Sequence, residues 1–239
     1  MISFVDGYFG WLGNQMFQYA AAYALSLRAG TPCAFPSNTP NLHKVFNLSA
    51  KKKSDPAPTY FEESFSYSPL PVPEGDIKLH GYFQSEKYFA DYADEIRKEF
   101  TFRKKMKAPS TSMVSIHVRR GDYLNLSDHH PVCTSEYYEE AMSKFNGCNF
   151  LIFSDDKRWC LKNFNKENCK ISLNSDPAED LQLMSLCDHH ILANSSFSWW
   201  GAWLGRNKDK KVIAPKDWFG PAKQGFDTKD LYCEDWIVL

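Results

Sequence analysis

The stretch of sequence that decides the fold is Val114-Ser115-Ile116-His117-Val118-Arg119-Arg120-Gly121-Asp122-Tyr123. Residues 114–118 predict a strand, and the polar residues that follow predict a loop at its end. Because side chains alternate between the two faces of a strand, Ser115, His117 and Arg119 share one face. The sequence therefore predicts a strand that delivers His117 and Arg119 together to a charged loop.

Downstream of this strand, helical and strand patterns alternate as far as residue 214. Repeated β-α units of this kind predict a parallel sheet with helices on both faces. We expect the further strands at residues 150–153, 170–173, 190–193 and 211–214, and the helices at residues 136–145, 157–164, 178–187 and 197–204.

Upstream of the strand, the chain opens with the pattern of a nucleotide-binding-like α/β fold. A short buried strand is expected at residues 2–5, a glycine-containing turn at 7–13, and a helix at 14–29. Residues 31–80 contain eight prolines and few clean periods, so they predict loops and short elements.

The composition of residues 104–112 predicts a linker between two domains. This segment is basic at first, then small and polar, and it contains Pro109. We therefore expect an N-terminal domain over residues 1–108 and a C-terminal domain over residues 109–239. Within the first of these, a strand is expected at residues 76–82 and a helix at 85–100.

Composition and charge exclude several classes of protein. The formal net charge of −1 gives no global attraction to nucleic acid or to an anionic membrane. The seven cysteines are odd in number and form no CxxC pair, which argues against zinc and favours buried, reduced thiols in a cytosolic protein. No signal peptide is visible, and no apolar run approaches the ~20 residues of a spanning helix. We therefore expect a cytoplasmic protein.

Three polar clusters follow directly after three predicted strands. They are Arg119–Asp122, Ser154–Asp156 and Asn194–Ser196. Ligands bind beyond the carboxyl ends of parallel strands, so the three clusters are expected to line one binding edge. An arginine fork matches a phosphate in geometry as well as in charge. The alternative is an Arg–Asp pair within the loop, such as Arg120 with Asp122, and we expect one arginine to be structural and one catalytic.

The other polar residues each allow a ligand or a helix cap. Ser195 and Ser196 precede a helix, where free N–H groups favour phosphate, but both are also common N-cap residues. The carboxylates of Asp155 and Asp156 are suited to bind magnesium with a nucleotide, to hold N–H groups of the loop, or to cap the helix that follows. The absence of a further carboxylate cluster favours the cap. The amides of Asn14 and Gln15 can donate to an anion or a sugar hydroxyl, with capping by Asn14 as the alternative.

Five motifs resemble those of the α-1,2-fucosyltransferases, glycosyltransferase family eleven. The opening motif Leu12-Gly13-Asn14-Gln15-Met16-Phe17-Gln18-Tyr19-Ala20 is followed by residues 81–89 and by the donor-site motif at residues 117–123. Residues 153–156 and 180–201 are similar as well. The motifs occur in the family's order and span nearly the whole chain.

This resemblance implies a GT-B-like α/β fold, with two Rossmann-like domains that face a cleft and a parallel sheet in the C-terminal domain. The first domain would hold the acceptor and the second GDP-fucose. Arg119 would contact the β-phosphate, His117 and Asp180 would lie near the guanosine, Ser195, Ser196 and Phe197 would complete the diphosphate pocket, and Asn14 would reach the fucose or the β-phosphate across the cleft.

The same motifs imply further substrate-binding residues, namely Gly13, Gln15, Arg120, Asp155 and Asp156. Two departures from the family pattern concern the acceptor. Gly10-Trp11 stands where adjacent glycines usually precede the Leu-Gly-Asn-Gln run, and the chain is shorter than most relatives.

The activity implied is an inverting transfer of L-fucose from GDP-β-L-fucose to the 2-hydroxyl of a terminal galactoside. It would need no metal ion or other cofactor, because Arg119 and a helix N-terminus would stabilise the departing phosphate. Asp122 and His117 are candidates for a general base. The alternatives are another linkage or a catalytically silent glycan- or nucleotide-binding protein. If the acceptor is lipid-linked, peripheral association with a membrane is expected.

Overall fold

The computed structural model describes residues 1–4, 8–35, 40–52 and 56–239. Val5 of the expected first strand and Gly7 of the expected glycine turn lie outside these ranges. The chain forms two compact units, one of residues 1–105 with 226–233, the other of residues 106–225 with 234–239. The expected domain division at residues 108 and 109 stays a prediction.

The first unit contains two small parallel sheets and the helices around them. One sheet has the strand order β1-β5-β4, and β2 pairs with β3. The elements are β1 (Ile2–Phe4), α1 (Leu12–Arg28), β2 (Ala34–Phe35), α2 (Pro40–Val45), β3 (Lys51–Lys52), β4 (Thr59–Phe61), β5 (Ile77–His80) and α3 (Ala93–Glu99).

Helix α1 forms the centre of the first unit. Its residues are buried on nearly all sides, with Phe17 and Tyr19 fully inaccessible to solvent. The Tyr19 hydroxyl donates a hydrogen bond to the Glu99 carboxylate at the end of α3, and that carboxylate also accepts the backbone N–H of Ser49 at 2.8 Å. A single buried acid therefore connects α1, α3 and the intervening loop.

The continuous helix predicted over residues 85–100 is wrong. Two 3-10 turns, Glu86–Tyr88 and Ala90–Tyr92, precede α3. Ser85 caps the first turn, and the backbone of Phe89, at φ −140° and ψ 7°, breaks the helical path between them. The residues spaced by four, from Tyr88 to Phe100, are still mostly buried, but two 3-10 turns and a short helix bury them in place of one continuous helix.

The second unit is built on a six-stranded sheet in the order β11-β10-β9-β6-β7-β8, and every pairing in it is parallel. The parallel sheet predicted from the β-α repeats is confirmed. Its elements are β6 (Met113–Val118), α4 (Ser135–Ser143), β7 (Asn149–Ser154), α5 (Lys157–Asn163), β8 (Cys169–Ile171), α6 (Pro177–Ser185), β9 (His189–Ile191), α7 (Ser196–Leu204), β10 (Val212–Ala214) and β11 (Ile237–Val238).

Both faces of β6 are buried, but they differ in character. Val114, Ile116 and Val118 pack in an apolar core with Tyr138 of α4 and Cys160 of α5. On the opposite face, Ser115 contacts His190 of β9 and His117 contacts Phe197 of α7. The expected alternation along this strand is therefore confirmed, and its polar face is directed to the α7 side.

Two details, one of the second unit and one of the whole chain, differ from expectation. The strand expected last, over residues 211–214, is followed by β11, whose two residues pair with β10. The seven cysteines of the two units are free, but Cys133, Cys148 and Cys169 are only partly buried, where buried thiols were expected.

Close packing between α6 and α7 yields a stability prediction. A Cβ placed on Gly201 would lie 3.0 Å from Cβ of Met184, so Gly201→Val overpacks this contact. Overpacking of a core typically costs about 1–3 kcal/mol. We expect a lower urea midpoint for Gly201→Val, whereas Gly225→Val, where nothing lies within 4 Å of the added Cβ, serves as the matched control. Equal midpoints for the two variants would contradict this packing.

Candidate functional site

The order of the six strands reverses between β6 and β9. Along the sheet the chain runs outward from β6 through β7 to β8, and then from β9 through β10 to β11. This is the 3-2-1-4-5-6 arrangement of nucleotide-binding sheets, in which ligands bind where the order reverses. Arg119 and the Asn194–Ser196 cluster follow the two strands that meet at this point.

Two carboxylates hold the side chain of Arg119. Its guanidinium donates to Asp122 at 2.7 Å and to Asp155 at 2.8 Å, and it lies over the ring of Tyr123 at 5.4 Å. These contacts fix the plane of the guanidinium while leaving further N–H groups of the fork for a ligand. The geometry suits an anion-binding arginine that is oriented before its ligand arrives.

Arg120 is held by different partners. Its Nε donates to Asp156 at 3.2 Å, and its guanidinium lies 4.4 Å from the ring centre of Trp159 in α5. The pairing of Arg120 with Asp122 that the loop suggested is wrong, because successive residues point to opposite sides and Arg120 faces α5. The two arginines thus have separate environments, with Arg120 the more firmly packed.

The two neighbouring aspartates after β7 organise the arginine loop. Asp155 accepts the backbone N–H of Arg120 at 2.9 Å, and Asp156 caps α5 by accepting the N–H of Trp159 at 3.0 Å. The Trp159 N–H, followed by Arg120, holds the pKa of Asp156 below its usual value. Within the described residues, no group of three or more His, Cys, Asp or Glu side chains is arranged to hold a metal ion.

His117 is buried beside the same site. Its ring lies 5.5 Å from that of Phe197, and its Nδ1 is buried without a hydrogen-bond partner. Burial, assisted by the charge of Arg119, lowers the pKa of His117 to about 3. The imidazole is therefore neutral at physiological pH and a weak base, which suits hydrogen bonding to a ligand better than removal of a proton.

The start of α7 combines a cap with an anion-binding geometry. Ser195 is the N-cap, and its Oγ accepts the N–H of Phe197 at 3.4 Å. Ser196 is the first residue of the helix. Other N–H groups of the first turn remain directed out of the helix end, where the positive pole of the dipole favours an anion. The cap predicted for Ser195 is present and is compatible with a bound phosphate.

Asn194 sets the path of the chain into α7. It is 1% exposed, and its Nδ2 donates to the carbonyls of Pro131 at 2.8 Å and Trp218 at 3.2 Å. The Tyr123 hydroxyl donates to the Asn194 carbonyl at 3.2 Å. Tyr123 therefore supports Arg119 with its ring and the α7 entrance with its hydroxyl. Sequence reasoning missed this role of Tyr123 and that of Trp159, although Tyr123 lies within the motif at residues 117–123.

Asp180 lies in the first turn of α6. Its Oδ1 accepts the Ser172 hydroxyl at 2.6 Å and the Asn174 amide at 3.1 Å, and burial raises its pKa. These contacts orient the carboxylate at the carboxyl end of the β8 region. The arrangement leaves this acid able to accept hydrogen bonds from a ligand.

In the first unit, the residues of the opening motif lie at the start of α1. The N-cap is Trp11, without a side-chain cap, so the capping role considered for Asn14 is wrong. Asn14 Oδ1 instead accepts the Gln84 amide at 2.9 Å, and the Gln15 amide donates to the Gly10 carbonyl at 2.9 Å.

Two glycines lie at the same helix start. Gly10 has φ +67°, and a Cβ there would lie 2.3 Å from Asn14 Nδ2, so glycine is required. Gly13 is buried in the first turn of α1.

Comparison with known proteins identifies relatives over most of the chain. A family model described as glycosyl transferase family 11 matches residues 65–239. An α-1,2-colitosyltransferase from Escherichia coli is 31% identical, over 96% of this chain and 96% of that enzyme. A galactoside α-(1,2)-fucosyltransferase 2 from Oryctolagus cuniculus is 27% identical, over 82% of this chain and 65% of that enzyme.

Solved structures share the fold at low sequence identity. The fucosyltransferase NodZ from Bradyrhizobium matches with a TM-score of 0.57 at 14% identity, covering 84% of this chain and 92% of NodZ. NodZ α-1,6-fucosyltransferase soaked with GDP-fucose matches with a TM-score of 0.56 at 13% identity, covering 85% and 92%. These matches confirm the expected GT-B glycosyltransferase fold. No helix in the described ranges has the length and apolar composition to cross a membrane.

Proposed function

The chain belongs to glycosyltransferase family 11, and we propose that it moves L-fucose from GDP-β-L-fucose to the 2-hydroxyl of a terminal galactoside with inversion. It is a glycosyltransferase of the fucosyltransferase family, and its substrates are a nucleotide-sugar donor and a glycan acceptor. The GDP-fucose donor is supported by the NodZ structure soaked with GDP-fucose. The linkage is supported by relatives named for α-1,2 transfer.

The observation that carries the proposal is that Asp122 and Asp155 already orient the guanidinium of Arg119, beside the start of α7. Breaking the bond between fucose and phosphate leaves negative charge on GDP. Donors that are oriented in advance stabilise such a charge without reorganisation during the reaction. In the proposed complex, Arg119 and the first N–H groups of α7 bind the diphosphate, with Ser195, Ser196 and Phe197 around it.

The rest of the second unit would bind the guanosine. The carboxylate of Asp180 can accept hydrogen bonds from N1–H and the exocyclic amino group of guanine, and neutral His117 can bond to the nucleoside. Asn14 and Gln15, in the first unit, supply amides that can hydrogen-bond a sugar hydroxyl. Arg120, Asp155 and Asp156 contribute to donor binding indirectly, because their hydrogen bonds fix the conformation of the loop that carries Arg119.

A second donor sugar is favoured by one comparison. The 31% identity to an α-1,2-colitosyltransferase extends over nearly the full length of both chains. Colitose is L-fucose without its 3-hydroxyl, so a site for one can resemble a site for the other. A buried polar group that hydrogen-bonds the 3-hydroxyl would discriminate strongly between the two sugars.

Direct assay tests the donor and the linkage together. Lactose and N-acetyllactosamine are incubated with GDP-fucose or GDP-colitose, and the products are analysed by NMR. We expect an α-linked fucose on the 2-hydroxyl of galactose. Faster transfer from GDP-colitose would establish the second candidate, whereas fucose on another residue or a β-linked product would overturn the proposed linkage.

The fork of Arg119 yields a prediction for a conservative variant. Arg119→Lys keeps the charge but loses the planar fork. We expect kcat to fall about 10²–10³-fold, the effect of removing one prepared donor to a developing anion. The melting temperature and kcat are measured alongside Arg206→Lys, a matched exposed arginine that follows α7. A retained kcat in a folded Arg119→Lys would remove Arg119 from the phosphate site.

Metal independence is part of the proposal. Arg119 and the α7 terminus already provide the electrostatic role that a cation would fill. We expect the initial rate of transfer to be unchanged by an excess of EDTA. Loss of activity on chelation, with recovery on adding magnesium or manganese, would assign Asp155 and Asp156 to a metal instead.

A further inference from the structure

At the carboxyl ends of the strands in the first unit lies the carboxylate of Glu62, to which the proposed function assigns no role. Glu62 directly follows β4, and residues 81–83 directly follow β5. Since β1, β5 and β4 are parallel, these segments lie on the sheet edge at which α1 also begins. The hydrogen bond from Gln84 to Asn14 connects this edge to the opening motif.

The Glu62 side chain is held by backbone donors. Its Oε2 accepts the N–H of Tyr82 at 2.6 Å, and its Oε1 accepts the N–H of Phe83 at 2.9 Å. A Cβ on Gly81 would lie 2.3 Å from Cβ of Glu62, so the loop can approach the acid this closely only with glycine there. The loop is built around the position of one carboxylate.

The backbone of this loop is strained at Phe83. Phe83 is buried, and its φ of +52° is a backbone angle that residues other than glycine rarely adopt. Its ring packs against Phe4 at 5.9 Å and Tyr88 at 5.2 Å, and its N–H is bonded to Glu62. Strain of this kind persists where the surroundings determine the conformation, and such residues cluster at functional sites.

The environment of Glu62 places the pKa of its carboxyl group close to neutral pH. Burial raises its pKa to about 7, against the opposing effect of the two backbone N–H groups. In the described part of the chain it forms no ion pair with a cation. The titratable groups around it are Glu63, His80 at the end of β5, and Tyr60 and Tyr88. Burial raises the pKa values of the two tyrosines, and the charge of Glu62 adds to the increase.

Exposed aromatic rings flank the same edge. The exposed fractions are 77% for Trp11, 62% for Phe61 and 42% for Tyr82. Phe61 packs on His80 at 5.0 Å, and Phe9 contacts both His80 at 4.7 Å and Tyr82 at 6.1 Å. Aromatic faces with a polar group beside them suit a sugar, which has an apolar face and hydroxyls at its rim.

We infer that Glu62 is the general base of the transfer and that the surrounding aromatic edge holds the acceptor glycan, an inference that rests on the proposed function. In the step, the acceptor oxygen bonds to the anomeric carbon of the donor sugar as the bond from that carbon to the β-phosphate oxygen breaks. The acceptor proton passes to Glu62, and GDP leaves with the electron pair. The two earlier candidates fit this role less well, since Asp122 is paired with Arg119 and His117 is enclosed.

The test measures kcat/KM for the acceptor between pH 5 and 9 for wild type, Glu62→Gln and Glu62→Asp, with Glu63→Gln as the matched control. Glu63 is the next residue in the chain and is exposed. Wild type should lose activity as the pH falls below about 7, because the base becomes protonated. Glu62→Gln should be about 10²–10⁴-fold slower, with no acid limb, while binding GDP as wild type does.

Glu62→Asp covers the case in which the amide of Glu62→Gln opens the loop, because aspartate keeps the charge and shifts the acid limb. Glu63→Gln should retain both the rate and the wild-type limb. If the Glu62 variants are slower but keep the wild-type limb, Glu62 is structural and the inference fails. If both variants keep the wild-type rate, it fails as well. An absence of transfer from every donor and acceptor by wild type would instead overturn the proposed function.

Discussion

The geometry of the candidate site depends on the ion pairs that hold Arg119 between Asp122 and Asp155, at 2.7 and 2.8 Å, where the order of the main sheet reverses. One of these acids belongs to the loop after β6 and the other to the loop after β7. A shift of either loop would therefore rotate the guanidinium. Because partly buried charges need partners, the same contacts that orient the arginine also hold the two loops together.

Tyr123 extends this arrangement to the other half of the site. Its ring lies against Arg119, and its hydroxyl bonds to the carbonyl of Asn194, just before α7. Asn194 is in turn bonded to the segments around Pro131 and Trp218. The arginine and the helix terminus thus share one support. The contacts of Tyr123 therefore fix the arginine and the start of α7 relative to each other.

Much of the second unit could be predicted from sequence, because its strands and helices each carry a local pattern and its caps are local. Ser195 and Asp156 cap helices that begin one residue later. The partners of the arginines could not be predicted in this way. Arg120 and Asp156 are 36 residues apart, and they meet only because β6 and β7 are neighbours in the sheet.

The first unit was less predictable, for physical reasons. The residues spaced by four between Tyr88 and Phe100 are mostly buried, but a broken backbone at Phe89 satisfies the same burial as a continuous helix. Glu62 lies in a proline-rich region with no clear period, and its surroundings come from a loop 20 residues away. A single sequence does not show that a carboxylate there will be enclosed.

The most direct measurement of the central claim is a crystal structure of the protein with GDP. We expect a β-phosphate oxygen to accept hydrogen bonds from the Arg119 guanidinium and from the first N–H groups of α7, with Asp122 and Asp155 still bonded to the arginine. A diphosphate bound away from Arg119, or an arginine that leaves both carboxylates when GDP binds, would contradict it.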